Sequence, residues 1–172
     1  MLLTNHVLSG ALIGALTRRP LPAFAAGVAS HFVLDAVPHW GKLGWRQFLR
    51  VAVADGLISL AVAGALTAAS PSARRHAVLA GMAGAAIPDL DKPAKLWFGR
   101  SPFPAAVDRF HMGIQDEATH RFYVELLAMA ALVPTALIAL RAPSVPPLAP
   151  SVSPSTRVAD TAGRPGRPGR RG

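Results

Sequence analysis

Cysteine is absent from this chain of 172 residues, which excludes disulfide staples and every cysteine-ligated zinc arrangement. Charge is scarce too. Asp, Glu, Lys and Arg together make 16% of the residues, against roughly 25% in an ordinary soluble domain. Strand-forming aromatics are few, and alanine dominates with Leu and Val next, so the composition favours helices over sheet. Acid is scarcer than base: 9 Asp and Glu stand against 18 Lys and Arg, a formal net charge of +9. That excess does not make a nucleic-acid surface. Four of the basic residues lie in the final GRPGRPGRRG, and the others punctuate apolar runs without a basic stripe interleaved with aromatics. No nucleic-acid partner is expected.

What is present is apolar sequence: 51% of the residues, with a mean hydropathy of +0.34, which points toward a membrane. The length suits one domain. Apolar segments run over 3–16, 21–37, 51–69, 77–87 and 122–140. Only the third and fifth approach the roughly 20 residues that a spanning helix needs, and the others would rely on snorkelling or a thinned bilayer. Arg18 and Arg19 follow the first segment instead of preceding it, so it does not read as a signal peptide and is expected to be retained. Residues 92–121 read as a long polar loop with one or two short helices, with His111 and His120 as ordinary loop residues. From residue 142 the chain is Pro, Ser, Gly and Arg with almost nothing to bury. The expectation is therefore all-α: a polytopic helical membrane bundle of four to five helices over 1–141, followed by a disordered tail over 142–172. Its partner is the lipid bilayer, crossed several times.

Within the second segment, GVASHFVLDAVPHW carries His31, Asp35 and His39 four residues apart, a spacing that stacks side chains on one helix face. Small residues share such faces. His6, Gly10 and Gly14 form one stripe; Gly27, His31 and Asp35 another; Gly81, Ala85 and Asp89 a third. A close-packing face that also carries His or Asp points into a bundle and not toward lipid. Up-and-down helices bring five of the six histidines and nearly every acid to the side that holds the N-terminus. Buried carboxylates and imidazoles cost several kcal/mol unless paired, protonated or bound to metal.

The candidate metal ligands are His6, His31, Asp35, His39 and Asp55, with Asp89 and Asp91 as catalytic groups, each a ligand or a general base. A sulfur-free N/O set suits a divalent metal, zinc first, with Mn, Fe or Mg as alternatives. With one position left open, such a site would activate water for hydrolysis.

TNHVLSGALIG, SHFVLDAVPHW and GAAIPDLDKP together resemble a family of small bacterial inner-membrane, metal-dependent hydrolase-like proteins of undefined substrate. The resemblance covers about residues 1–125, and S-H-x-x-L-D-x-x-P-H is its most specific block. It implies a membrane-embedded helical fold with His6, His31, Asp35, His39, Asp89 and Asp91 around a divalent metal. The chain departs at Lys92, where such proteins often place a histidine after P-D-x-D. The function expected is hydrolysis of a small-molecule, phosphoester or lipid-like substrate. One alternative is a non-catalytic membrane scaffold held by a structural His/Asp network; another is a small proton-coupled transporter relaying through Asp35 and Asp55.

Overall fold

The computed structural model describes residues 1–142, and these are mostly helical. Helices α1 (Leu3–Thr17) and α2 (Pro20–Asp35) are joined at Arg18, which takes a left-handed conformation (φ 58°), and Pro20 opens α2 where its missing N–H costs nothing. After Pro38 the chain makes a two-residue strand β1 (His39–Trp40), then α3 (Trp45–Ala69) and α4 (Ser72–Ala86). A 3-10 turn over Ile87–Leu90 leads into α5 (Asp91–Phe98), followed by α6 (Ala105–Ile114), strand β2 (Glu117–Ala118) and α7 (Phe122–Arg141). The tail expected from residue 142 lies, from 143 onward, outside the described residues.

The polar stretch 92–121, expected as a loop with one or two short helices, does hold two, α5 and α6. Two features differ from the sequence reading. The stretch also returns as a strand: β2 pairs in parallel with β1, His39 N–H donating to Asp116 O at 3.0 Å. Pro38 ends helical propagation and leaves His39 extended, so its backbone takes a partner from the one polar segment that reaches it. Helices α3 and α4 also start earlier than their apolar runs, at Trp45 and Ser72. Hydropathy marks where apolar residues begin, not where the backbone does.

Helix α1 is the centre of the molecule, packed against α2, α3, α4 and α7. Its contacts with α4 are backbone to backbone. A Cβ added at Gly10 would lie 2.4 Å from Gly81 O, and one at Gly14 would lie 2.4 Å from Ala77 O. Helix α2 reaches α4 in the same way, with Gly27 on Gly81 and Gly84 on Phe24. Around this seam sit Val7, Leu8, Ala11, Ala15, Val78 and Met82. Arg74, at the start of α4, donates to the carbonyls of Ala139 (3.0 Å) and Ala142 (2.6 Å), closing the C-terminal end of α7 with a cation where the helix dipole favours one.

Helices α3 and α7 are long and apolar enough to cross a membrane. They are not core helices. Only 11% and 22% of their most apolar windows are buried, and Val53, Leu57, Ile58 and Leu60 of α3 face outward, as do Leu126, Leu127 and Ile138 of α7.

Candidate metal centre

The three stripes meet at the end of the bundle that holds Met1. Gly10, Gly27 and Gly81 bring α1, α2 and α4 into contact one helical turn from His6 and His31, so these imidazoles stack with ring centroids 4.0 Å apart. Asp35, one turn beyond His31, receives His111 Nε2 at 2.9 Å and Gln115 Nε2 at 3.1 Å on Oδ2, with His31 Nε2 3.3 Å from the same oxygen. Its Oδ1 faces the Met1 amino group at 2.8 Å and His6 Nε2 at 3.1 Å. Asp89 Oδ1, from the 3-10 turn, lies 3.7 Å from His31 Nε2 and 3.8 Å from His111 Nε2. His6, His31 and Asp35 are fully buried, whereas the Asp89 side chain retains some exposure and marks the mouth of the site.

The tautomers can be read from partners. His31 Nδ1 sits 2.7 Å from Ala85 O, a carbonyl that only accepts, so Nδ1 carries the proton and Nε2 presents its lone pair to the cluster. A backbone carbonyl fixing the far nitrogen in this way is the usual support of a metal-ligating histidine. One donor atom each from His31, Asp35, Asp89 and His111 lie within 4.8 Å of one another, so this group can hold a metal ion. His6 adds a further sign of fit. Both of its ring nitrogens are buried with no hydrogen-bond partner among the described residues, an arrangement that costs a few kcal/mol when nothing fills it. Its Nε2 approaches Asp35 without the alignment of a hydrogen bond.

Lys92 reaches Asp89 Oδ1 from the mouth. Burial works to raise the Asp89 carboxyl, but the Lys92 ammonium and the His6 and His31 rings outweigh it and hold the group below the ordinary carboxylate range. Burial likewise opposes charge on Lys92, and Asp89, Asp35 and Asp91 keep it protonated above its usual value. Phe32 walls the cluster in edge contact with both His31 and His111, and an exposed Phe110 packs on Phe32 from outside.

The remaining candidates lie elsewhere. Asp55 accepts Leu3 N–H (2.6 Å), Thr4 N–H (3.3 Å) and the Thr4 hydroxyl (2.5 Å). It therefore caps the N-terminus of α1, whose own cap position is Leu2 and offers no side-chain acceptor. Glu125 of α7 assists, taking Leu2 N–H at 3.0 Å and Asn5 Nδ2 at 2.9 Å. Asp55→Ala is expected to cost about 1–2 kcal/mol in unfolding measurements, as loss of a cap does, with metal content unchanged. A fall in bound metal would return Asp55 to the ligand set.

His39 donates Nδ1–H to Val37 O at 2.8 Å, and its Nε2 lies 3.7 Å from Glu117 Oε1, apart from the four-residue group. The His39 ring holds the Glu117 carboxyl below its ordinary value. Asp91 pairs through Oδ2 with Lys95 at 2.8 Å at the start of α5, and its Oδ1 is buried without a hydrogen-bond partner among the described residues. His111, read from the sequence as an ordinary loop residue, is buried in the cluster. The signal for it was His111-x-x-x-Gln115, a second i, i+4 pair like His31-x-x-x-Asp35, and both of its members reach Asp35 Oδ2.

These features define a helical protein with a buried His/Asp centre able to take a metal ion. No family model, curated protein or solved structure matches the chain.

Proposed function

We propose that this is a polytopic membrane protein of the inner membrane and a divalent-metal-dependent hydrolase acting on a phosphoester of a small molecule or lipid. What carries this reading is the convergence of His31, Asp35, Asp89 and His111 on one point, next to a buried His6 whose ring nitrogens make no aligned hydrogen bond among the described residues. The all-nitrogen-and-oxygen donor set favours zinc, with Mn, Fe or Mg as alternatives. When bound, the ion lowers the pKa of water and polarises a phosphoryl oxygen. The chain's own residues do the rest. His31 is oriented by Ala85 O, Phe32 covers the edges of the His31 and His111 rings, and the Asp89 carboxylate at the mouth would accept the proton of an attacking water. Lys92, already on Asp89, orients that carboxylate and presents a cation to an anionic substrate.

Membrane insertion is supported by the apolar, outward faces of α3 and α7 and by Trp45 and Trp97, both largely exposed, where an interfacial aromatic belt would lie. Helices α1, α2 and α4 would cross within the bundle as short spans, with His6, His31 and Asp35 facing inward. A structural His/Asp network is the second reading, because His111 Nε2–H can bridge Asp35 Oδ2 and His31 Nε2 without any ion, 3.0 Å separating the two ring nitrogens.

The test is elemental analysis of protein purified in detergent from metal-supplemented cells, beside His31→Ala. The expected result is bound divalent metal, weakened by more than about 100-fold in the variant, with phosphoester hydrolysis in lipid nanodiscs abolished by chelator. Metal-free wild type, or full metal in His31→Ala, overturns the hydrolase. Release of the protein from membranes by alkaline carbonate overturns the membrane assignment.

A further inference from the structure

The two oxygens of Asp35 face different neighbours. Oδ2 meets His31, His111 and Gln115; Oδ1 meets His6 Nε2 and the Met1 amino group. The four donors that can share one ion include His31, His111 and Asp89 but not His6. His6 is nevertheless fully buried and stacked on His31, with Nε2 3.1 Å from the other oxygen of the same carboxylate and Nδ1 without a hydrogen-bond partner among the described residues. As a ligand of a single ion it is misplaced. As a purely structural residue it leaves a buried Nδ1 with no partner and a poorly aligned Nε2.

We infer that Asp35 is a bridging carboxylate between two cation positions, one set by Oδ2 with His31, His111 and Asp89, and a second set by Oδ1 with His6. This rests on the reading that the centre binds divalent ions at all, and it sharpens that reading. A carboxylate can serve one cation through each oxygen, and such pairs clamp the attacking and leaving oxygens of a displacement at phosphorus. Charge identifies the substrate. Two divalent ions together with Lys92 leave a strong positive excess over the carboxylates of Asp35 and Asp89, and all three histidines are neutral as ligands. The group that complements such a site is a phosphate monoester dianion, so the inference assigns that class in preference to a singly charged phosphodiester.

The test uses the full chain, purified through a C-terminal tag so that Met1 is left as it is. Elemental analysis should find two divalent ions per chain in the wild type and one in His6→Ala. Because His6 is buried, His6→Gln, closer in volume, is run alongside, with helical circular dichroism and gel filtration in detergent as controls for folding. Titration of metal-stripped wild type with Mn2+ gives a readout independent of any variant. An exchange-coupled paramagnetic resonance spectrum should replace the isolated six-line signal between the first and second equivalents. One ion per chain in wild type and His6→Ala alike, or isolated Mn2+ signals at saturation, overturns the bridge while leaving a single-ion hydrolase standing. A wild type that binds no metal overturns both.

Discussion

Asp35→Ala is expected to be the most damaging single side-chain deletion at the metal centre, abolishing metal binding and costing about 3–5 kcal/mol of stability. The carboxylate is within 3.3 Å of three imidazoles, an amide and the Met1 amino group, and it is fully buried. Its removal leaves those donors facing a void with no counter-charge. Asp35→Asn separates the contributions. The amide fills the same space and keeps one acceptor oxygen, so its stability without metal should exceed that of the alanine variant. It loses the negative charge, however, so metal binding should be as weak as in Asp35→Ala. Unfolding in detergent with and without chelator provides the comparison. At a metal concentration about 1,000 times Kd the wild type should gain about 4 kcal/mol, a gain missing from both variants. If chelator leaves the wild type unchanged and Asp35→Asn behaves like it, the cluster is a hydrogen-bond network and the ion reading falls.

Which parts of this centre were legible in the sequence follows from how far each residue lies from its partners along the chain. His31 and Asp35 belong to one helix, and their four-residue spacing is enough to place them together. The glycine stripes with His6 and Asp89 were legible because helix count alone decides which ends meet. His111 was not, because α6 docks on α2 through contacts between residues about 80 positions apart, and its local signal, the four-residue spacing to Gln115, does not say which helix the pair meets. Asp55 shows the opposite failure. Helix counting puts it at the right depth, but an uncapped α1 N-terminus claims it first, and the positive end of a helix dipole attracts a carboxylate as a metal does. The clue lay in Leu2, at the cap position where Ser, Thr or Asp would ordinarily stand. Glu125 answers the same need from α7 and carried no signal of its own. Lys92 looked like a departure from a family pattern; in place it is the cation that holds Asp89 ionised at the mouth. Apolarity was legible throughout, but the sequence could not say that α3 would leave nearly all of it facing outward, since that depends on which helices the bundle draws inside.

Gly81→Ala should destabilise the protein by about 3 kcal/mol or more, although the same change in an unhindered helix would stabilise by up to about 1 kcal/mol. The sign comes from space. A Cβ at Gly81 would sit 2.2 Å from Gly10 O, a backbone atom that cannot rotate away, and Gly10 and Gly27 both rest on the Gly81 backbone. Helices α1 and α4 must part by about 1 Å to restore ordinary contact, in an interior packed too closely to absorb it. Gly56→Ala and Gly64→Ala on α3 are the controls, because nothing lies within 4 Å of either added methyl. These should be neutral or slightly stabilising by thermal unfolding in detergent. Gly81 lies two turns before Asp89, and its seam sets the stacking of His6 on His31, so separating the helices also opens the donor set. Metal affinity in Gly81→Ala should therefore fall by about 10–100-fold, the loss typical of disturbed ligand support, although the substituted residue touches no ligand atom. Equal stability in Gly81→Ala and Gly64→Ala would mean that α1 and α4 do not pack backbone to backbone, and the geometry that brings His6 to Asp35 would go with it.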